Sequence, residues 1–181
     1  WPAKIKKPRR TSVPCNTSDI LPTLLELAGV TQDKPPPLDG ISIVPLLNDK
    51  MKIREKPMGF WVYPERGRGK KSRAMLEELR TEQKAGKQKP APPEGLIEKQ
   101  YPVNSFPGPA AWIDGDYKLM AGAKKKGAKG RFSLFNLASD AAEKKDLSKK
   151  HPEKVKAMRA GLAAWQKSVL NSLNGNDYSS P

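Results

Sequence analysis

One cysteine and one histidine in 181 residues remove several kinds of chemistry at once. A lone Cys15 can close no intramolecular disulfide, and no Cys-based metal site can be built around it. The chain therefore does not depend on an oxidising compartment for cross-links. Long apolar runs are missing too: none approaches the roughly 20 residues that a membrane span needs. There is no signal peptide, but the chain opens on Trp1-Pro2-Ala3-Lys4-Ile5 without an initiator Met. The expectation is that the true N-terminus lies upstream.

Basic charge and proline are what the sequence has in excess. Lys and Arg number 34 against 19 Asp and Glu, a formal net charge of +15, and 18 residues are Pro. Such an excess attracts polyanions, whether nucleic acid, anionic lipid or acidic polysaccharide. With 36% hydrophobic residues, the expectation is one domain with a compact core and many loops.

Along the chain, residues 1–18 read as a basic, polar loop or edge segment. Asp19 opens a short helix whose apolar stripe is Ile20, Leu21, Leu24, Leu25, Leu27 and Ala28, with Gly29 as its stop. Pro35-Pro36-Pro37 is a stiff connector to a second apolar stretch, Ile41 to Leu47. Met58 to Tyr63 read as an aromatic strand. Residues 64–107 are irregular apart from a short helix over 72–84, and they carry ten Lys/Arg against six Asp/Glu. A loop of that length inside a compact domain is usually functional or disordered; Phe60, Trp61, Tyr63, Tyr101 and Phe106 near its ends favour docking. Ala111 to Ile113 and Tyr117 to Met120 flank Asp114-Gly115-Asp116 as a hairpin, and Arg131 to Leu137 make a third strand. The final helix, about 152–173, starts at Pro152 and carries Val155, Met158, Leu162, Trp165, Val169 and Leu173 at three- and four-residue spacing. The fold class is α+β: a small antiparallel sheet with one long amphipathic helix on a face.

The residues offer little catalytic chemistry. His151 sits directly before Pro152 and reads as a surface residue at a helix start; no nucleophile or carboxylate is visibly oriented against it. Cys15, between Pro14 and Asn16, lacks any nucleophile motif. Asp114 and Asp116 are explained by the turn between them, since a cation needs more oxygen ligands than that tip offers. Lys124 to Lys126 read as a solvated loop or a polyanion contact. Trp112 and Trp165 fit core faces of the sheet and helix.

A collinear set of motifs adds to this reading. Ser18-Asp19-Ile20-Leu21-Pro22-Thr23-Leu24-Leu25-Glu26-Leu27-Ala28-Gly29, then Leu38-Asp39-Gly40-Ile41-Ser42 and Pro45-Leu46-Leu47, resembles a stretch found throughout the sulfatases, where it follows a Trp-Pro-x-x-Ile segment such as Trp1 to Ile5. Asp114 to Leu119 resembles that family's Gly-Asp-Tyr-Lys-Leu strand. Leu134-Phe135-Asn136-Leu137 with Asp140, Glu143 and Leu147 resembles its Leu-Tyr-Asp-Leu, Asp-Pro, Glu, Asn-Leu run. Phe135 replaces the commoner Tyr, and Ala141 stands where Pro is usual. Within the family, the proline-broken insertion and the ending from Trp165 to Tyr178 are most similar to arylsulfatase-type enzymes of planctomycete-like bacteria.

The resemblance implies the C-terminal portion of an alkaline-phosphatase-like sulfatase. On that basis residues 1–50 are the tail end of the α/β domain with a short helix. Residues 51–181 are the C-terminal sheet subdomain, with a basic insertion at 64–107 and the terminal helix. The family's formylglycine arises from a Cys/Ser-x-Pro-x-Arg motif and works with a Ca²⁺ held by Asp and Asn. Here Thr17 and Asp19 stand where Cys15 would need Pro and Arg. The implication is that this chain holds neither catalytic nor metal residues, that formylglycine and Ca²⁺ belong to an N-terminal part upstream, and that the chain alone is inactive. Substrate contact is expected instead from the insertion: Arg66, Arg68, Lys70 and Lys71 toward sulfates of a polysaccharide or aryl sulfate, and Tyr63, with Trp61, against sugar rings. The family further implies a periplasmic or secreted protein. The competing reading is a non-catalytic polyanion-binding module for sulfated glycan or nucleic acid; scattered basic residues and the lack of a recognised motif count against specific nucleic-acid binding.

Overall fold

The computed structural model describes residues 1–33, 35–62, 72–87, 100–122 and 132–177. Four strands, β1 (Met58–Trp61), β2 (Ala110–Asp114), β3 (Tyr117–Ala121) and β4 (Phe132–Asn136), form one antiparallel sheet in sequence order. Helices α1 (Ile20–Ala28) and α2 (Val44–Leu47) precede it, α3 (Ser72–Lys84) lies between β1 and β2, and α4 (Pro152–Leu173) closes the chain. This is the α+β arrangement expected from the sequence.

Register puts one row of side chains across the whole sheet: Gly59 opposite Trp112, Trp112 opposite Leu119, and Leu119 opposite Leu134. Side chains alternate between faces along a strand, so Trp61, Ala110, Ala121 and Phe132 form a parallel row on the same face. Helix α4 covers this face with Met158 and Leu162, and Trp61, Leu147, Val155 and Trp165 pack around them. Leu119 and Leu134 are fully buried, each contributing about 1.5–3 kcal/mol of apolar burial. Gly161 brings α4 close, since a Cβ there would stand 3.2 Å from the Trp112 ring.

The helix is rotated from the expected stripe. Its buried residues are Met158, Leu162, Gln166 and Leu170, whereas Leu173 is exposed and Trp165 only half-buried. Each four-residue step advances about 40° beyond a full turn, so a contact line kept over twelve residues drifts around the helix and admits Gln166. Other differences are smaller. Strand β1 ends at Trp61, and a 3₁₀ turn over Thr17–Asp19, capped by Asn16, precedes α1. The stretch from Ile41 to Leu47 contains only the four-residue α2.

The free side of β4 is closed by the segment after it. Asp146 Oδ1 accepts the Leu134 amide at 3.1 Å and the Ser148 amide at 2.8 Å, and the Leu147 amide donates to Leu134 O at 2.8 Å. Asp140 accepts the amides of Lys144 and Lys145, which hold its carboxyl below the ordinary range. Glu143 pairs with Lys118 at 2.7 Å. The Asp140, Glu143, Leu147 pattern therefore has a mechanical meaning: it folds a turn back over the edge strand.

Candidate functional site

The most constrained polar region is the corner joining the first helix to the sheet. Asn16 Oδ1 accepts the Ser18 amide at 3.0 Å, and Asp19 Oδ2 accepts the Asn16 amide at 2.9 Å, a reciprocal capping box. Asp19 is 1% exposed and meets Arg54 in a two-pronged pair, Nη1 to Oδ2 at 2.8 Å and Nη2 to Oδ1 at 2.9 Å. Its Oδ1 also accepts the Ile41 amide at 2.9 Å. Arg54 Nε donates to Lys56 O at 2.7 Å. Burial pushes the Asp19 carboxyl up, but the Arg54 bonds and the Asn16 and Ile41 amides outweigh it and leave it below its ordinary value. The Thr23 hydroxyl donates to Asp19 O at 2.6 Å and accepts the Ile43 amide at 3.0 Å.

This knot fixes the Leu38–Ser42 loop against residues 16–19. Gly40 lies so close that a Cβ would enter the Ser18 carbonyl group. Asp39 is thereby turned toward α4, where its Oδ1 accepts the Trp165 indole N–H at 2.8 Å. Gly59 completes the contact, because any Cβ there would penetrate the Trp165 ring. Trp165 and Trp112 lie with centroids 6.1 Å apart, tilted by 45°. Between this group and the 16–18 turn lies a cleft of about 340 Å³. Residues Lys56 to Phe60 line it, with Asp39, Trp112 and Trp165 among its walls. The sequence signal for it was Gly59 inside a strand, a residue that marks a close approach.

The residues expected to contact substrate, Tyr63, Arg66, Arg68, Lys70 and Lys71, lie outside the described residues, as do Lys124 to Lys126. The described C-terminal end of the insertion is docked. Trp61 donates its indole N–H to Pro107 O at 2.8 Å and packs edge-on against Phe106. Asn174, at the end of α4, accepts the Tyr101 amide at 2.7 Å and donates to its carbonyl at 2.8 Å.

Cys15 is exposed, and partial burial together with the Asp19 charge pushes its thiol pKa up, with Arg54 opposing. A raised pKa is the opposite of what a thiolate nucleophile needs. Asp114 and Asp116 are exposed at the β2–β3 turn. His151 stands before the first turn of α4, edge-on to Tyr117. Among the described residues no three His, Cys, Asp or Glu side chains converge as a metal site.

No family model matches the sequence, and no curated protein does. Solved structures do. A chain from Bacteroides thetaiotaomicron, described under the metabolism of multiple glycosaminoglycans with a label ending in 6S-sulf, is 17% identical with a TM-score of 0.54 over 92% of this chain. A second, solved in complex with its substrate D-glucosamine-2-N,6-O-disulfate, is 16% identical with a TM-score of 0.44 over 90% of this chain. The first likeness is one of fold. This chain spans 28% of the first structure's length and 25% of the second's.

Proposed function

We propose that this chain is the C-terminal portion of a sulfatase, and that the parent enzyme hydrolyses sulfate esters of a sulfated carbohydrate. The observation that carries the reading is the agreement of two signals: a fold likeness over 92% of the chain, and a collinear motif set in which the buried and polar residues do structural work. Asp19, Thr23, Asp39 and Gly40 hold the corner together. Leu119, Leu134, Asp140, Glu143 and Leu147 hold the sheet. Such residues mark a shared scaffold and leave the chemistry to other parts of the protein. The narrower likeness to planctomycete-type arylsulfatases rests on the proline-broken insertion and the chain's ending.

On this reading residues 1–50 belong with an α/β domain and residues 51–181 form the C-terminal subdomain. The exposed Ile20, Leu21, Leu24, Leu27 and Val30 give α1 an uncovered apolar face that suits packing against a larger body. Formylglycine and Ca²⁺ would be supplied from outside this chain. The basic insertion, through Tyr63, Arg66, Arg68, Lys70 and Lys71, would face the sulfated substrate. Periplasmic or secreted placement follows from the same reading; no helix among the described residues is long and apolar enough to cross a membrane.

Two measurements test it. The chain alone, with Ca²⁺ added, is expected to release no product from an aryl sulfate; turnover that survives repurification contradicts the assignment of the chemistry elsewhere. Binding to heparan or chondroitin sulfate is expected to weaken steeply as salt rises. Neutralising Arg66, Arg68, Lys70 and Lys71 together should remove a disproportionate share of that binding. A tight, sequence-selective DNA complex indifferent to those four changes would instead support the nucleic-acid alternative.

A further inference from the structure

The two edges of the sheet are finished differently. On β4 the outward backbone groups of Leu134 are taken, its amide by Asp146 Oδ1 at 3.1 Å and its carbonyl by the Leu147 amide at 2.8 Å. β1 is the other edge, and its centre has no such cover. The Val62 amide donates to Pro109 O at 3.0 Å, and residues bonded across an antiparallel ladder alternate along the strand. Phe60 and Met58 therefore bond toward β2, while the N–H and C=O of Gly59 between them point away from it. Neither Gly59 group has a partner among the described residues. An edge left in this state is a template for another strand.

The surroundings of Gly59 suit a strand there. Met58, Gly59 and Phe60 all line the cleft of about 340 Å³. Successive strand residues face opposite ways, so a cavity that touches all three meets them along the free edge and not over one face. Its volume lies at the small end of ligand-site sizes, which suits a few residues of one chain better than the edge of a second sheet. The row Leu134, Leu119, Trp112, Gly59 stops at a residue without a side chain, and the Trp165 ring stands over it. A residue paired with Gly59 continues that row and lays its side chain beside Trp165. Its chain neighbour lies on the opposite face beside Phe60, which is 44% exposed; cross-strand pairs of this kind stabilise a sheet. Pro57 has no N–H to offer, which ends the pairing on that side. Charge selects further. Lys50, Lys52 and Lys56 precede β1 in sequence, Arg66, Arg68, Lys70 and Lys71 follow it, and the chain carries +15, so an acidic partner is drawn to it. Asp39 on the cleft wall is answered by Lys56, whose Nζ is bonded to the carbonyl of the preceding residue, Leu38.

We propose that the outer edge of β1 at Gly59 is a docking site for an extended acidic peptide, added to the sheet as a further strand with an apolar side chain paired at Gly59. Main-chain bonds to Gly59 supply the attachment, and the alternate side chains against Trp165 and Phe60 supply the selectivity. The Trp165 bond to Asp39 holds that ring in place beforehand, which lowers the ordering cost of binding. The proposal stands on the sheet edge itself, so failure of the sulfatase reading would leave it untouched.

The Gly59 amide is its own reporter. The full chain is titrated with acetyl-Glu-Thr-Trp-Thr-Glu-amide while backbone amides are followed by NMR. The Gly59 peak is expected to move saturably in the millimolar range or below. At saturation its exchange with solvent should slow at least about tenfold, whereas Phe60, already bonded to β2, should keep its rate. Acetyl-tryptophan-amide carries the ring without the strand and should leave Gly59 exchange unchanged. The same peptide N-methylated along its backbone should bind at least about tenfold more weakly. Replacing both of its Glu residues by Lys should weaken binding severalfold at low salt, with the gap closing as salt rises. No saturable shift at roughly 10 mM peptide, unchanged Gly59 exchange at saturation, equal binding of the N-methylated peptide, or tighter binding of the Lys peptide would each overturn the proposal. So would a dimer that protects Gly59 without peptide, since the occupant would then be a second copy of the chain.

Discussion

The two faces of α1 differ in kind. Its inner side, with the 3₁₀ turn before it, is polar and fully engaged: Asp19 and Thr23 are buried and every oxygen they present meets a donor or acceptor across the corner. Its outer side is apolar and bare, with Leu24 57% exposed. The polar face is self-contained and specifies how residues 16–23, 39–43 and 54–56 meet. The apolar face does the reverse, because nothing among the described residues buries it. Buried polar groups here set the geometry within the chain, and the uncovered apolar groups mark where it meets something else.

Substitutions can break that contrast. The largest effect is expected from Asp19→Ala, which leaves the Arg54 guanidinium buried without its partner; such losses cost about 3–5 kcal/mol. Chemical denaturation of the purified variant measures it directly. Because the Asp19 pKa is lowered in the folded state, its contribution is fully present above the unfolded carboxyl value of about 3.9. That contribution is lost as pH falls through the still lower folded value. Acid unfolding of wild type should therefore be steeper than that of an Asp19→Asn variant.

Gly40→Ala and Gly59→Ala come next. Each asks for a Cβ where backbone or an aromatic ring already stands, and overpacking of this kind typically costs about 1–3 kcal/mol. Gly40 should be the worse of the two, since its obstacle is backbone. If Gly59→Ala left the melting temperature and the Trp165 fluorescence unchanged, the approach of α4 to β1 would be wrong. Trp165→Phe keeps most of the ring but loses the bond to Asp39, for an expected loss of about 1 kcal/mol. Smallest of all is Leu24→Gln on the bare face, within about 0.5 kcal/mol of wild type. Its readout is different: binding of a hydrophobic dye should fall while stability holds. A large stability loss there would mean that the outer face is already covered.

Much of the fold is written in local patterns. The three apolar clusters of β2, β3 and β4, the Asp114-Gly115-Asp116 turn and the Pro152 start of α4 can all be read along the chain. The rotation of α4 cannot, because the choice between Trp165 and Gln166 as the inward residue depends on how the helix crosses the sheet. The corner is less legible still. Arg54 sits among Lys52, Glu55 and Lys56 and looks like one more solvated charge, yet its partner lies 35 residues away. Trp165 and Asp39 are 126 residues apart, and nothing near either announces the bond. Motif resemblance named Asp19, Asp39 and Gly40 as a set without saying what they do. Their contacts supply the reason.

The sharpest test of a structural rather than chemical role for these residues is a double-mutant cycle on Asp19 and Arg54. Wild type, Asp19→Asn, Arg54→Met and the double variant are unfolded in urea under identical conditions. If the pair is the keystone of the corner, each single change is strongly destabilising and the double loses far less than their sum, a coupling of at least about 1–3 kcal/mol. Additive losses, agreeing to within about 0.5 kcal/mol, would show that the two charges do not hold one another and would contradict the account.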